Sequence, residues 1–274
     1  EISACLVGSE MCIRDSMLQI NTIHNMKCEI GLLKLPNESI DCFVTSPPYG
    51  GLRRYNGFEW DFETVASEMF RTLKPGGVIC WNTGDQIIAG QAQLFPERQK
   101  IHFVEMGLLA WDTIFWKKHG VPCPTPNRYY SVIEQVFVFS KGKPKSLNLI
   151  CDRVNISAGS RETTIKRSAR EFRERSTRKP YVTQEKGRRT NVWEYSTMPN
   201  ETNHPAVMNL RLAYDLIQSY TDEHDLVCDP FAGSGTTFAA AERLCRSWIG
   251  FEVSSDYVAA ANRRLLDLKF NLFS

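Results

Sequence analysis

Apolar positions from Met17 onward fall into two alternating patterns along the chain. Short runs rich in β-branched and aromatic residues, several of them apolar on both faces, are typical of strands covered by helices on both sides. Between these runs, apolar residues recur with the 3.6-residue period of an amphipathic helix. The regular alternation indicates an α/β fold with a mostly parallel sheet. The seven predicted strands cover residues 18–23, 41–45, 77–83, 112–118, 134–140, 225–230 and 247–252.

The helical pattern predicts five helices in the same part of the chain. They cover residues 61–73, 97–107, 209–221, 236–245 and 255–270. The first 16 residues, EISACLVGSEMCIRDS, join neither pattern. We therefore interpret residues 1–16 as a non-native or disordered leader and leave them out of the fold prediction.

Residues 141–200 interrupt the alternation of strands and helices. Residues 141–190 hold fifteen Lys or Arg against five acidic residues, a net charge of +10, whereas the whole chain is only +2. The rest of the chain is therefore acidic, at −8 by difference. A charge run is commonly a solvated face, but this asymmetry favours a surface that binds a polyanion such as nucleic acid. We predict a core of residues 17–140 and 201–274, with residues 141–200 as an insert.

Composition and cysteine spacing exclude several classes of protein. With 42% hydrophobic and 23% charged residues in a chain of 274, the protein is typical of a globular domain and is neither disordered nor fibrous. Its apolar runs are far shorter than the ~20 residues that cross a bilayer, so we expect a cytoplasmic protein without a membrane partner. The nine cysteines are scattered and form no Cys-x-x-Cys pair, which argues against a disulfide framework and against a metal site.

The stretch TSPPYG, residues 45–50, ends the apolar run of the second predicted strand. Each proline fixes φ and lacks an N–H, so the strand stops at this point. A hydroxyl, two rigid prolines and an aromatic ring thus stand where a buried strand opens onto the surface. The first candidates for a functional site are therefore Ser46, Pro47, Pro48 and Tyr49.

A second stretch, DLVCDPFAGSGTT at residues 225–237, predicts a strand, a tight glycine-rich turn and the start of a helix. Such a turn brings backbone N–H groups close to a ligand. No Lys follows Gly235, so it is not a phosphate-binding P-loop, and Phe238 replaces the third glycine of a dinucleotide fingerprint. Glu252 ends the next strand at the distance typical of an acidic residue that binds ribose hydroxyls. An ordinary βαβ turn with a surface glutamate is the alternative, but the combination favours a nucleoside ligand without a pyrophosphate.

The two motifs together resemble the β-class amino DNA methyltransferases, S-adenosylmethionine-dependent enzymes that methylate the exocyclic amine of cytosine or adenine. TSPPYG comes first, DPFAGSGTT and GFE follow far downstream, and LKPGGVICWNTGD, NVWEYS and NHPA also resemble family segments, in family order. The resemblance covers nearly everything from about Leu33 to Leu265 except the basic insert. It implies a Rossmann-like S-adenosylmethionine-dependent methyltransferase fold with permuted motif order, in which the first strands lie on the far half of the sheet. The insert then falls where these enzymes carry a target-recognition region.

The resemblance implies a chemical role for TSPPYG. The target base must leave the stacked duplex, and Tyr49 suits stacking on the flipped base. Ser46 Oγ and the Pro47 carbonyl can accept hydrogen bonds from the exocyclic amine, which orients its lone pair toward the methyl group. Pro47 and Pro48 hold these acceptors rigid and offer no competing N–H. Neither a covalent enzyme intermediate nor a metal is needed, because a sulfonium is already an activated methyl donor.

The resemblance also implies a binding site for S-adenosyl-L-methionine around the glycine-rich turn. The turn would line the methionine side of this cofactor, and the glutamate at the end of the next strand would bind its ribose. The predicted cofactor-binding residues are Asp229, Pro230, Phe231, Gly233, Ser234, Gly235, Thr236, Thr237 and Glu252.

Several positions stay open between two interpretations. Asp85 in TGD and His204 in NHPA fit a site role or a structural role equally. Lys27 stands where relatives often have an acidic residue, which leaves the contacts to the adenine of the cofactor open. VPCP and EQV, around Cys123 and Glu134, faintly resemble elements of carbon-5 cytosine methyltransferases, in which a Cys attacks the ring. Both fall inside a region better explained by the amino-methyltransferase pattern, so we do not predict Cys123 as a nucleophile.

The predicted function is a site-specific DNA methyltransferase of a restriction-modification system that acts on double-stranded DNA. Ser-Pro-Pro-Tyr is commoner among the N4-cytosine enzymes of the family and Asp-Pro-Pro-Tyr among the N6-adenine enzymes, so we favour N4 of cytosine. N6 of adenine, and a non-catalytic relative that only binds DNA, are the alternatives. A homodimer and a cognate restriction endonuclease are further partners that the resemblance leaves open.

Overall fold

The computed structural model describes residues 18–49, 60–119, 127–162, 181–196 and 208–271. The predicted leader, Cys123 and His204 lie outside the described residues. The chain divides into two compact units: Glu1–Asn148 with Asn191–Ser274, called the core unit below, and Leu149–Thr190, called the insert unit. Within the described ranges, no helix is both long and apolar enough to cross a membrane.

The core unit is built on one mixed sheet of eight strands. In chain order the strands are β1 Thr22–Asn25, β2 Ile40–Thr45, β3 Leu73–Thr83, β4 Leu109–His119, β5 Ile133–Ser140, β6 Val192–Ser196, β7 Leu226–Asp229 and β8 Ser247–Glu252. Their spatial order is β1-β8-β7-β2-β3-β5-β4-β6. Only β5 runs antiparallel to its neighbours, β3 and β4. The predicted mostly parallel α/β sheet is confirmed, and all seven predicted strands are present.

The sheet has eight strands, whereas seven were predicted, and the additional strand is β6 at the edge of the sheet. Its residues Val192–Ser196 pair in parallel with Phe115–His119 of β4. The strand was missed because it lies inside the predicted basic insert and contains only five residues.

Six helices surround the sheet in the described part of the chain: α1 Cys28–Leu33, α2 Phe62–Thr72, α3 Phe95–Glu105, α4 Leu210–Tyr220, α5 Thr236–Arg243 and α6 Ser255–Asn271. The five predicted helices correspond to α2 through α6. Polar side chains fix two of their starts, since Asp61 accepts from the N–H of Glu63, and Asn209 accepts from two N–H groups of α4. The six residues of α1 are too few for a helical period to be recognised in the sequence.

Both faces of the sheet are covered, which explains why its central strands are apolar throughout. All six residues of β2 are buried. Cys42 and Val44 lie in the cluster that includes α4 and α5, whereas Phe43 lies in the cluster that includes α1, α2 and α3. Successive residues of a strand point to opposite faces, so β2 contributes to both cores. The carboxyl ends of the parallel strands β1, β8, β7 and β2 consequently meet at one edge of a rigid layer.

The permuted motif order is visible in the sheet. β2, which leads into TSPPYG, pairs in parallel with β7, which leads into the glycine-rich turn. β2 and β3 lie on the far half of the sheet, as the resemblance implies, but β1 pairs with β8 at the opposite edge. The expectation was therefore wrong for the first strand. Ile23 is the only buried residue of this four-residue strand, and such a strand suits an edge.

The insert unit lies within the predicted insert of residues 141–200, whose bounds stay a prediction. The residues before Leu149 belong to the core unit, where Lys145 Nζ lies 2.9 Å from Asp225 Oδ1. The residues after Thr190 enter β6. Within the insert unit, two antiparallel pairs of two-residue strands are formed.

The glycine-rich turn tolerates Phe238 on α5 in place of a third glycine because the residue that faces it on β8 is Gly250. Phe238 in α5 is fully buried, and its ring stacks on Trp248 of β8 at a centroid distance of 4.5 Å. A Cβ added to Gly250 would lie 2.0 Å from Phe238 Cζ. Gly250 on β8 therefore makes room for an aromatic ring on α5.

We predict that Gly250→Ala destabilises the core unit by about 1–3 kcal/mol, because the new methyl overlaps a ring that is packed on all sides. The free energy of unfolding in urea measures the effect. In a Phe238→Leu background the same substitution should cost clearly less, since the leucine leaves space for the methyl. A wild-type stability for Gly250→Ala, or an equal cost in both backgrounds, would contradict this packing.

Candidate active site

A cavity opens at the carboxyl ends of β1, β2, β7 and β8. Its empty volume is about 980 Å³, counted up to and including the solvent at its mouth. This edge is where open α/β sheets bind their ligands. Of the predicted site residues, those that line it are Ser46, Pro48, Asp229, Pro230, Phe231, Gly233, Ser234, Thr236, Thr237 and Glu252. Pro47, Tyr49 and Gly235 are not among the described residues of its wall.

The Asp229 carboxylate joins the two strands that lead into the motifs. Thr45, the last residue of β2, donates from Oγ1 to Asp229 Oδ1 over 2.6 Å. Thr237 in α5 donates from Oγ1 to Asp229 Oδ2 over 2.8 Å, and the N–H of Phe231 donates to Oδ1 over 3.0 Å. A hydrogen bond contributes about 0.5–1.5 kcal/mol to stability when both partners are neutral, and ~1.5–3 kcal/mol when the carboxyl is ionised. One buried side chain therefore holds the end of β2, the glycine-rich turn and α5 together.

Burial raises the pKa of Asp229 from its ordinary value of 3.8 to about 7. The hydrogen bonds from Thr45 and Thr237 lower this pKa but do not offset the loss of water, and the neighbouring Glu252 carboxylate raises it further. The wall of the cavity thus carries an acidic side chain that titrates near neutrality. A cationic ligand group nearby would favour its ionised form.

Glu252 holds the loop that closes the wall. Its Oε2 accepts from the N–H of Gly233, and its Oε1 accepts from the N–H of Ser254, both over 2.9 Å. Burial raises the pKa of this carboxyl above its ordinary value. Each carboxylate oxygen carries two lone pairs, so Glu252 keeps acceptor capacity for the hydroxyl groups of a ligand.

Gly235 shapes the turn from behind the cavity. It begins α5 as the N-cap residue with a positive φ of 73°, a conformation in which glycine is unstrained. A Cβ on Gly235 would also lie 3.0 Å from Ala261 Cβ, on α6. Arg264, also on α6, donates from Nη1 to Thr236 Oγ1 over 2.9 Å. The turn is therefore supported by a helix that follows it in the chain.

Ser46 belongs to a polar cluster that the sequence did not predict. Its Oγ lies 3.1 Å from Tyr49 OH and 3.3 Å from Asn82 Nδ2. Tyr49 OH and Asn82 Nδ2 each also donate to Glu134 Oε2 over 3.3 Å, and Glu134 forms an ion pair with Lys118. Three members come from the neighbouring strands β3, β4 and β5. These three residues lie on different strands at no regular distance from TSPPYG in the sequence. Nothing in the sequence therefore indicated that they would cluster with this motif.

Trp60 is a further part of the wall, and sequence reasoning missed it. Trp60 and Phe231 make an edge-to-face pair with ring centroids 4.8 Å apart, and both line the cavity. Lys27 lines the cavity as well. The position at which this chain has a lysine, where relatives often have an acidic residue, is therefore part of the site.

Asp85 has a structural role in the described residues. Its Oδ1 accepts from the N–H groups of Gln86 and Phe95, and its Oδ2 accepts from the N–H of Leu94. These bonds satisfy donors at the start of α3. Asp85 is not part of the cavity wall, so the structural interpretation of this residue is favoured.

Comparison of the sequence with known proteins gives a consistent result. A family model described as a DNA methylase, whose name joins N6 and N4 methylation, matches residues 40–263. The orphan methyltransferase M.BamHII from Bacillus amyloliquefaciens is 40% identical over 236 residues, which cover 83% of this chain and 89% of that protein.

Comparison with solved structures gives the same fold. A putative DNA modification methylase from Thermus thermophilus, solved in complex with S-adenosyl-L-methionine, is 25% identical with a TM-score of 0.59, over 90% of this chain and 93% of that chain. The PvuII DNA methyltransferase, described as cytosine-N4-specific, is 21% identical with a TM-score of 0.62, over 91% of this chain and 93% of that chain. The predicted S-adenosylmethionine-dependent methyltransferase fold is confirmed.

We predict that ionisation of Asp229 destabilises the folded protein. The folded state keeps this proton up to about pH 7, whereas the unfolded chain releases it near pH 4, so the free energy of unfolding falls as the pH rises through this window. The difference in unfolding free energy between the wild type and Asp229→Asn should therefore fall by about 3 kcal/mol between pH 5 and pH 8. Urea unfolding at several pH values measures it.

Asp61→Asn is the control for this experiment. A hydrogen bond from Thr64 lowers the pKa of the exposed Asp61, so this carboxyl is ionised in both states throughout pH 5 to 8. Its difference from the wild type should not change with pH. A pH-independent difference for Asp229→Asn would show that Asp229 does not titrate near neutrality.

Proposed function

Because this chain belongs to the N6/N4 DNA methylase family, we propose that it is a site-specific enzyme that transfers a methyl group from S-adenosyl-L-methionine to N4 of cytosine in double-stranded DNA. Members of this family are S-adenosylmethionine-dependent DNA amino-methyltransferases, so that activity follows from the family, whereas the choice of base is the proposal. The observation that carries the proposal is that Ser46 lines the same cavity as Gly233 and Glu252. Methyl transfer between two bound molecules requires their binding sites to meet.

The cavity wall suits the cofactor. Asp229 and Glu252 supply buried acidic groups that favour a positively charged ligand, and Glu252 can accept from ribose hydroxyls. Trp60 and Phe231 supply apolar ring surface. In this proposal the glycine-rich turn holds the methionine side, and Lys27 faces the ligand in place of an acidic residue. When bound, the sulfonium supplies an activated methyl group.

The TSPPYG motif holds the target amine. Ser46 Oγ and the carbonyl of Pro47 accept its hydrogens, which directs the nitrogen lone pair toward the cavity and stabilises the positive charge that develops on the nitrogen. Pro47 and Pro48 have no N–H that could compete for these acceptors. Tyr49 offers its ring to the flipped base while its hydroxyl bonds to Glu134.

The choice of cytosine rests on the serine of the motif. A neutral hydroxyl and a carboxylate can each hold either amine, so chemistry alone does not exclude N6 of adenine, and the matched family includes both reactions. The adenine enzyme is therefore the second candidate. A binder without activity is less favoured, because the described cavity joins both motifs.

The insert unit is the proposed DNA-recognition region, because it lies within the segment of net charge +10 and phosphate contacts by Lys and Arg supply affinity for DNA. A homodimer and a cognate restriction endonuclease stay predictions from the resemblance alone.

Expression in a bacterium that lacks DNA methylation, followed by modified-base sequencing, tests the function. We expect N4-methylcytosine in one sequence context. Ser46→Ala should lower kcat about 100-fold by removing one preorganised acceptor, while cofactor binding is retained. N6-methyladenine would overturn the choice of base, and the absence of any modified base would overturn the proposed activity.

Cofactor binding to Glu252→Gln tests the ribose contact. The amide keeps the size of the side chain but removes its charge, so the dissociation constant for S-adenosyl-L-methionine should rise about 10–100-fold. Isothermal titration calorimetry measures it. Glu68→Gln, on α2 and outside the cavity wall, should bind as the wild type does. An unchanged affinity in Glu252→Gln would exclude Glu252 as a cofactor ligand.

A further inference from the structure

Glu134 is hydrogen-bonded to two neighbours of Ser46 and is not among the residues that line the cavity. Its Oε2 accepts from Tyr49 OH and from Asn82 Nδ2, and Lys118 pairs with its Oε1. The Glu134 side chain is only 15% exposed. A cationic partner and hydrogen bonds offset the loss of hydration of a carboxylate in such a position. Neither the family motifs nor the mechanism above assigns it a role.

The ionised carboxylate fixes the direction of the hydrogen bonds around it. It has no hydrogen, so Tyr49 must donate its single O–H proton to Glu134. The tyrosine oxygen must then accept in its 3.1 Å contact with Ser46 Oγ, which makes Ser46 the donor. The Ser46 proton is therefore directed at Tyr49, away from the target.

Asn82 supports the same direction. Its Nδ2 donates to Ser46 Oγ and to Glu134 Oε2, both over 3.3 Å. Its Oδ1 is buried and has no hydrogen-bond partner among the described residues. An unsatisfied buried acceptor costs ~1–3 kcal/mol, but the opposite orientation would place this oxygen against the Glu134 carboxylate. The Glu134 carboxylate thus favours the orientation in which the Asn82 NH₂ group faces it. In that orientation Asn82 also donates a hydrogen bond to Ser46.

We propose that Glu134 is a positioning residue that sets the polarity of the Ser46–Tyr49 hydrogen bond, so that Ser46 presents a lone pair, and not its proton, to the exocyclic amine. The inference rests on the proposed function of Ser46. If the polarity were reversed, the Ser46 proton would face the amine nitrogen and compete with the methyl group for the nitrogen lone pair. Glu134 therefore acts on the chemical step through Tyr49 and makes no contact with DNA or cofactor.

An ordinary cross-strand ion pair is the alternative, and the chain offers a matched example. Lys117 on β4 pairs with Glu194 on β6 over 2.9 Å, one residue from Lys118, and both side chains are about half exposed. Glu194 has no hydrogen bond to a residue of TSPPYG in the described part of the chain. Glu194→Gln is therefore the control for loss of one carboxylate from this region.

The test is a double-mutant cycle on the full chain with labelled S-adenosyl-L-methionine and unmethylated bacterial DNA. Glu134→Gln should lower kcat about 10–100-fold, the effect of one or two hydrogen bonds, with KM for DNA and cofactor affinity within about twofold of the wild type. Tyr49→Phe keeps the ring but removes the link, so it should lower kcat about 10-fold. In the Tyr49→Phe background, Glu134→Gln should cost about threefold at most, because its main route to Ser46 is already lost.

Different results test the polarity role and the proposed function. An unchanged kcat in Glu134→Gln, or the same fold-loss in both backgrounds, would overturn the polarity role. If Glu134→Gln does not fold, Tyr49→Phe carries the test, and a wild-type kcat for that variant would overturn it. Methyl transfer by the wild type is measured in parallel: transfer without any effect of Glu134→Gln rejects this inference alone, whereas no transfer to DNA rejects the proposed function.

Discussion

The site depends on the hydrogen bonds that Thr45 and Thr237 both donate to the Asp229 carboxylate. Thr45 and Asp229 are 184 residues apart in the chain, yet their side chains meet over 2.6 Å. The backbone pairing of β7 with β2 covers only two residues on each strand, so it leaves the ends of both strands weakly constrained. A buried acceptor with three donors supplies the missing constraint. Its raised pKa is the consequence of burying this acceptor.

The site divides its charge between two sides. Acidic groups at Asp229 and Glu252 stand on the side proposed for a cationic cofactor, where a negative wall is favourable. A neutral hydroxyl, Ser46, stands on the side proposed for the target amine, and the Glu134 carboxylate is linked to it only through Tyr49 and Asn82. Lys118 compensates the charge of Glu134, so the acceptor for the amine can be polarised without a bare charge beside it.

The elements predicted from the sequence were those with a long or strongly apolar pattern. Strands buried on both faces and helices of eight or more residues were recognised because their periodicity extends over several turns or alternations. The short elements α1 and β6 were missed, and the edge position of β1 was misjudged. Each of these depends on which neighbour an element finds, and the local pattern carries no such information.

Sequence alone determined the strand-turn-helix that carries the glycine-rich turn, the proline-stopped strand with Ser46, and the family, because these depend on local backbone chemistry and on motif order. Tertiary structure decided which side chains meet there. Asn82 reaches Ser46 directly, and Glu134 is linked to it through Asn82, because β3 and β5 are neighbours in the sheet. The Trp60 ring packs edge-to-face on Phe231, a residue far along the chain. Distances between residues far apart in the chain are set by strand order and packing, and these are properties of the whole fold.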